Sequence, residues 1–117
     1  MPEESRNPHM QAAIEACEEC IHACQECAAA DIRHGEQMAD CALLSLDCAD
    51  ICAATLNAMA RSSKHHADFA RVCAHLCRAC AEECGKHADH HDHCRRCKEA
   101  CERCAAACEA HAQEPAV

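Results

Sequence analysis

The sequence predicts an all-α protein, an antiparallel up-down-up-down four-helix bundle with cysteines lining its core. The 117 residues include 16 cysteines, 2 glycines and 1 phenylalanine, with no tryptophan or tyrosine, so the residues that favour strands are scarce. The cysteines recur at alternating gaps of three and four residues. This average of 3.5 returns a helix to the same face and is typical of left-handed bundles. The length fits one domain over residues 1–117.

Four blocks of cysteines define the predicted helices in chain order. The blocks predict helices over about 9–32, 36–61, 64–86 and 90–112. The cysteines of these blocks are Cys17, Cys20, Cys24 and Cys27; Cys41, Cys48 and Cys52; Cys73, Cys77, Cys80 and Cys84; and Cys94, Cys97, Cys101, Cys104 and Cys108. Because each set forms the narrow a/d face of its helix, we expect all of them to point inward.

The connections between the blocks are short and polar. Gly35 lies in the first connection, and we expect Asp31, Ser62 or Ser63, and Asp89 to be caps or turn residues near the helix ends. Short connections make consecutive helices antiparallel neighbours.

Charge and hydropathy narrow the possible partners and the compartment. The net charge of −9 argues against nucleic acid, which requires a basic face. No apolar run reaches the roughly 18 residues of a membrane span, and the opening "MPEESRNPHM" lacks the apolar core of a secretory signal. We therefore expect a cytoplasmic protein with no membrane partner, whose thiols are kept reduced.

The second predicted helix is apolar on more than its cysteine face. Leu43, Leu44, Leu46 and Ile51 lie away from the cysteines, with few acidic residues among them. A helix that is apolar almost all round is usually buried on more than one side. The sequence therefore predicts a homo-oligomer.

Sixteen inward thiols indicate metal binding better than packing or disulfides. Leucine packs better and does not oxidise, and a reducing compartment disfavours disulfides. Thiolates bind Cu(I), Zn(II) and iron–sulfur clusters, but an unbroken series of thiols exceeds the needs of one or two zinc or iron–sulfur centres. Six C-x-x-x-C pairs could each hold a Cu(I) ion: Cys20/Cys24, Cys48/Cys52, Cys73/Cys77, Cys80/Cys84, Cys97/Cys101 and Cys104/Cys108.

Histidines and methionines concentrate at the predicted ends of the bundle. One end collects Asp31, His34, Met38, His87, His90, His91 and His93, and the other collects Met10, Met59, His65, His66 and His111. The candidate metal ligands among them, beside the cysteines, are His34, Met38, His87, His90, His91, Met59 and His111. Imidazole and thioether bind Cu(I) more weakly than thiolate, so these residues suit acquisition and release. The denser first set favours entry at that end.

This pattern resembles the cytosolic copper storage proteins of bacteria. Four cysteine-lined helices with His and Met near their ends, over roughly residues 10–112, are the basis of the resemblance. It implies a homotetramer of four-helix bundles, each storing multiple Cu(I) ions, and no catalysis. Ser45 interrupts the thiol series, so Cys41 would need a cross-helix thiolate, His34 or Met38 as partner. The alternative is an iron–sulfur or zinc thiolate protein of redox or electron-transfer function.

Overall fold

The computed structural model describes residues 7–113, which form four α-helices and no strand. Helix α1 spans Pro8–His34, α2 spans Ala39–Ala60, α3 spans His66–Gly85 and α4 spans Asp92–Ala112. A short 3-10 helix, Glu36–Met38, directly precedes α2. Helices α1 and α3 each pack against both α2 and α4. This arrangement confirms the antiparallel four-helix bundle with a cysteine-lined core.

The core of the bundle consists of small side chains. Every cysteine is at most 1% exposed, and Ala13, Ala70 and Ala105 beside them are fully buried. Small side chains allow the helix axes to approach closely, which brings sulfur atoms from different helices into contact. Within residues 7–113, no helix has both the length and the apolar composition needed to cross a membrane.

Helix α1 begins with a side-chain cap and extends further than the sequence pattern predicted. The Asn7 Oδ1 atom accepts a hydrogen bond of 2.7 Å from the Met10 amide, and Pro8 occupies the first turn, where its missing N–H costs nothing. The helix continues to His34 and ends at Gly35, whose φ of +106° suits glycine. The expectation that Asp31 is a cap or turn residue is wrong, because Asp31 lies inside α1 and is fully buried.

The last two helices begin later than the cysteine pattern alone indicates. The Ser63 hydroxyl accepts a hydrogen bond of 3.1 Å from the His65 amide, which stabilises the turn before α3. His91 precedes α4 in an extended conformation, so that helix starts at Asp92, an acidic residue that favours a helix N-terminus. These connections place the ends of all four helices in two clusters, one at each end of the bundle.

Candidate metal site

The thiols form a continuous column along the axis of the bundle, which we call the thiol column. All sixteen cysteines are free and buried. In several sets of four cysteines, all the sulfur atoms lie within 4.8 Å of one another. Four that follow one another along the axis are Cys17, Cys52, Cys73 and Cys104; Cys20, Cys52, Cys77 and Cys104; Cys20, Cys24, Cys48 and Cys101; and Cys24, Cys80, Cys97 and Cys101.

Successive sets share members. Cys52 and Cys104 belong to the first and second sets, Cys20 to the second and third, and Cys24 and Cys101 to the third and fourth. A thiolate that belongs to two sets can bridge two ions. The arrangement is therefore a chain of overlapping sites, which differs from separate structural metal sites with four dedicated ligands.

The sulfur–sulfur distances match coordination to a thiophilic ion. Sγ of Cys48 lies 3.5 Å from Cys77, and Sγ of Cys20 lies 3.7 Å from Cys101 and 3.8 Å from Cys24. Taking a metal–sulfur bond of about 2.3 Å, three sulfurs in a plane lie roughly 4.0 Å apart and four in a tetrahedron roughly 3.8 Å apart. The distances fit either geometry, so the spacing alone does not distinguish Cu(I) from zinc.

Sulfur atoms of the predicted C-x-x-x-C pairs lie 3.8–4.0 Å apart in the following four pairs. They are Cys20/Cys24, Cys73/Cys77, Cys80/Cys84 and Cys97/Cys101. In the predicted pair of Cys48 and Cys52, both thiols contact Cys77 of α3, at 3.5 Å and 3.8 Å. Contacts between helices therefore contribute as much to the thiol column as contacts along one helix.

Ser45 occupies a position of the thiol column where the periodicity requires a thiol. Its hydroxyl lies 3.7 Å from the sulfur of Cys80 and 3.9 Å from that of Cys97, and the residue is fully buried. The neighbouring Cys41 lies 3.6 Å from Cys84 of α3. A cross-helix thiol, one of the partners that the sequence offered for Cys41, is thus in contact with it.

Hydrogen bonds between neighbouring thiols give the cysteines different pKa values. Hydrogen bonds to neighbouring thiols, followed by burial, raise the pKa of Cys52, Cys84 and Cys101. Hydrogen bonds led by that from Cys101 lower the pKa of Cys48 to about 7. Because a buried thiolate without a counterion is costly, the metal-free column holds most of its protons, which an incoming cation must displace.

At the C-terminal end of α1 the thiol column changes into a mixed site, which we call the Asp31 end. The side chains of Cys27, Asp31, His93 and Cys94 offer ligand atoms within 4.8 Å of one another. Asp31 accepts a hydrogen bond of 2.8 Å from His93 Nε2, and the thiols of Cys27 and Cys94 each lie 3.6 Å from its carboxylate oxygens. The carboxylate could therefore orient an imidazole and two thiols around one ion.

Three imidazoles lie together at the Asp31 end. The ring centroid of His34 lies 4.7 Å from that of His91 and 5.5 Å from that of His93. Partial burial, and then the charge of His34 and His93, lower the pKa of His91. A lowered pKa keeps this imidazole neutral and able to bind a metal near neutral pH.

The other predicted ligands of this end are distributed unevenly. Met38 is 2% exposed, whereas His90 is exposed. His87 Nε2 lies 3.4 Å from a carboxylate oxygen of Glu83. The structure thus brings His34 and His91 together with His93, and it directs the His87 ring toward an acidic side chain.

Sequence reasoning did not select Asp31 and His93 as metal ligands. Asp31 follows Cys27 by four residues and so continues the cysteine face of α1. Because Asp31 also lies close to Gly35, its position in the sequence indicates a cap or turn residue instead. His93 directly precedes Cys94 and lies off the 3.5-residue period, so only the packing of α4 against α1 brings it to Asp31.

The opposite end of the bundle, which we call the His111 end, contains the two remaining predicted ligands. Met59 is fully buried and His111 is 2% exposed. His66, at the start of α3, lies with Nδ1 2.7 Å from Nε2 of His111.

Comparisons with known proteins agree with this geometry. Residues 6–113 match the family described as copper storage protein. The chain is 40% identical over 93 residues to YhjQ, a cysteine-rich protein of Bacillus subtilis (strain 168); the alignment covers 76% of this chain and 82% of that protein. The Cu(I)-bound copper storage protein BsCsp3 has a similar structure, with 40% identity, a TM-score of 0.84, and coverage of 89% of this chain and 98% of that chain.

A second solved structure extends the likeness. It shows copper loading, with five coppers, of a cytosolic copper storage protein from Streptomyces lividans; the identity is 36%, the TM-score 0.85, and the coverage 92% of this chain and 95% of that chain. These matches confirm the resemblance predicted from the thiol pattern, and with it copper storage in place of the iron–sulfur or zinc alternative. The chain belongs to the copper storage protein family.

Proposed function

We propose that this protein stores multiple Cu(I) ions in the cytosol, bound by the thiolates of all sixteen cysteines. The observation that supports this proposal best is the sharing of Cys20, Cys24, Cys52, Cys101 and Cys104 between successive four-sulfur sets. Bridging thiolates let neighbouring sites fill without separate ligand sets, and soft thiolates select Cu(I). One bundle is then the storage unit.

The number of thiolates sets the expected capacity. Sixteen thiolates used as unshared pairs would bind about eight ions, and sharing each thiolate between two ions allows about twice that number. We infer that weaker ligands at the two ends add to these thiolates, at the Asp31 end in acquisition and at the His111 end in release. Those proposed ligands are His34, Met38, His87, His90, His91, Met59 and His111.

Anaerobic titration with Cu(I) against a chromophoric Cu(I) chelator tests the proposal. The reduced protein is expected to take up about eight or more ions per chain in competition with the chelator. The Cys101→Ser variant loses a thiolate of two sets and should bind fewer ions. Ser45→Ala, a buried substitution that removes no thiol, is the matched control and should keep the full capacity. Tight uptake that stops at one or two ions would contradict storage.

We also propose that the protein has no catalytic activity. Its thiols are at most 1% exposed, so a substrate cannot reach them, whereas reactive cysteines lie in partly exposed sites. In the native apo-protein the thiols should react slowly with a chromogenic disulfide reagent, and they should react at once after unfolding. A single thiol that reacts rapidly in the native state would point instead to a redox or nucleophilic role.

The outer surface of the bundle supports a homo-oligomer, a tetramer by the family resemblance. Leu43 on α2 is 63% exposed, and Ile32 on α1 is 68% exposed. Large apolar side chains on the surface are typical of interfaces when they belong to an apolar helix face. Leu43→Arg should shift the mass measured by light scattering toward the monomer, whereas Ala106→Arg, on the exposed side of α4, should not. Equal masses for wild type and both variants would place the interface elsewhere or exclude it.

A further inference from the structure

The His111 end repeats the register of a four-thiol set two helical turns further along the axis. Cys17, Cys52, Cys73 and Cys104 form a set with one cysteine from each helix. Seven residues beyond each of them, in the direction of this end, stand Met10, Met59, His66 and His111 respectively. In a bundle of period 3.5 a shift of seven residues preserves the direction of the side chain. It moves that side chain by about 10 Å along the axis.

Burial and distance agree with this placement. Met10 is 7% exposed, Met59 is fully buried and His111 is 2% exposed. The His66 ring, which is partly exposed, reaches inward until Nδ1 lies 2.7 Å from Nε2 of His111, with the ring centroids 4.7 Å apart. The fully buried residues Ala13, Thr55 and Ala70 lie between the two layers in α1, α2 and α3, and Cys108 takes this position in α4.

We propose that Met10, Met59, His66 and His111 form a thiolate-free Cu(I) site at the His111 end, distinct from the thiol column. The proposal rests on the proposed function for the identity of the ion. Thioether and imidazole both bind copper, and the thioethers favour Cu(I) over harder ions. One helix supplies each ligand, as in the thiol set that this site repeats.

The existing hydrogen bond can give way to the ion with little movement. With metal–nitrogen bonds of about 2.0 Å, two coordinated nitrogens lie roughly 3.3–4.0 Å apart, so the rings must separate by about 1 Å. The proton between the rings moves to the other nitrogen of its own imidazole, which leaves both rings neutral. No redox change occurs, since the copper enters and stays as Cu(I).

The charge of the ligands sets the order of filling. All four are neutral, so the bound cation keeps its full charge in a mostly buried position, which is costly. Each ion in the thiol column is neutralised by thiolates. The site at the His111 end should therefore fill after the column and release its ion first to a competing chelator.

Ring-nitrogen NMR of protein labelled with ¹⁵N-histidine, titrated anaerobically with Cu(I), tests the proposal. The ultraviolet absorbance of Cu(I)–thiolate bonds reports the thiol column in the same sample. We expect the signals of His66 Nδ1 and His111 Nε2 to shift after that absorbance stops rising, while exposed His22 and His75 do not respond. The double variant M10L/M59L keeps the histidine pair and the packing volume. It should weaken binding at this site at least roughly tenfold, since even the loss of a second-shell partner of a metal costs 10–100-fold.

The outcomes separate this proposal from copper storage. Normal thiolate absorbance with unshifted His66 and His111 signals up to saturation would overturn the site and leave storage intact. Absent thiolate absorbance would overturn storage itself. A histidine pair that only joins α3 to α4 would show its effect in the apo-protein, where H66A/H111A would lower the melting temperature while M10L/M59L left Cu(I) binding unchanged. That result too would exclude the site.

Discussion

The imidazole of His93 donates to a carboxylate oxygen of Asp31 over 2.8 Å, and this carboxylate is fully buried at one end of the thiol column. The bond joins α4 to α1 across the interior of the bundle. The thiols of Cys27 and Cys94 also point at the carboxylate, each at 3.6 Å. The column therefore ends in a polar network, in which the hydrogen-bond donors of Asp31 are also potential metal ligands.

Removing His93 should destabilise the apo-protein strongly. H93A leaves the buried carboxylate of Asp31 without its imidazole partner, and breaking a buried pair typically costs about 3–5 kcal/mol. We expect a loss of about 3 kcal/mol in the free energy of unfolding, measured by urea denaturation with circular dichroism. The double variant D31N/H93A should recover part of this loss because no charge remains buried. If H93A unfolds at the same urea concentration as wild type, the pair does not stabilise the fold.

Ser45→Cys should complete the thiol column. The serine hydroxyl lies 3.7 Å from Cys80 and 3.9 Å from Cys97, so a thiol at this position would face two existing thiols. Since a bridging thiolate supports roughly one ion, we expect the capacity to rise by about one Cu(I) per chain. Competition titration measures it, with Ser45→Ala as the control of the same size class. An unchanged capacity in Ser45→Cys would mean that ligand number does not limit storage.

High pH should destabilise the apo-protein and not the loaded one. Neighbouring thiols and burial raise the pKa of Cys52, Cys84 and Cys101 in the folded state, whereas an unfolded thiol titrates near about 8.5. Above that pH the folded chain binds more protons than the unfolded chain, so the stability falls as the pH rises. Thiols with a lowered pKa, such as Cys48, are ionised in both the folded and the unfolded state above that pH. They therefore do not change the stability as the pH rises.

Chemical denaturation of the apo and loaded forms between pH 7 and 10.5 would measure this effect. The stabilising contribution of the thiols with a raised pKa is fully present below about pH 8 and is lost progressively above about pH 8.5. In the loaded protein the thiolates are bound to metal in the folded state, so its fall should be smaller. Parallel curves for the two forms would show that the core thiols do not keep their protons.

Loading should raise stability without creating the fold. Buried alanines and the side chains of Ile14 and Met59 already pack the helices of the apo-protein. Cu(I) binds the assembled thiol column more tightly than the thiols of the unfolded chain, and this difference in affinity stabilises the fold. We expect a strongly helical circular dichroism spectrum without metal and a higher melting temperature with Cu(I). A random-coil spectrum of the reduced apo-protein would contradict a preformed thiol column.

The fold and the thiol ligands could be predicted from sequence because both follow one period. Gaps of three and four residues specify a helix face, and four such faces joined by short connections specify an antiparallel bundle. The same period also contained Asp31 and the heptad relation of His66 to Cys73. Neither Asp31 nor His66 was predicted as a ligand, because an aspartate near a glycine, or a histidine near a helix start, is usually a cap or turn residue.

Contacts between helices could not be predicted in the same way. The approach of His93 to Asp31, the pairing of Cys41 with Cys84 and the cluster of His34 with His91 depend on the axial offset of one helix against another. The lengths of the turns set that offset, and the sequence pattern placed the starts of α3 and α4 two residues too early. His90 and His91 therefore lie before α4 and not in its first turn.

Copper should enter the thiol column at the Asp31 end. The rings of His34, His91 and His93 lie 4.7–5.5 Å apart there. The lowered pKa of His91 makes one neutral imidazole available beside the first thiols. The variant H34A/H91A should slow Cu(I) loading, followed by stopped-flow thiolate absorbance, while total capacity stays nearly the same because thiolates hold most of the ions. It spares His93, whose loss would disturb the fold.

Two comparison variants determine the direction of entry. H22A/H75A removes two exposed histidines outside the column and should load at the wild-type rate, which controls for the loss of surface imidazoles. M10L/M59L alters the His111 end and should also load normally, because that end fills last. If M10L/M59L loads slowly and H34A/H91A does not, copper enters at the His111 end. If all three variants load like wild type, Cu(I) reaches the thiols without the help of imidazole ligands. The loading rate would then report local opening of the helix ends.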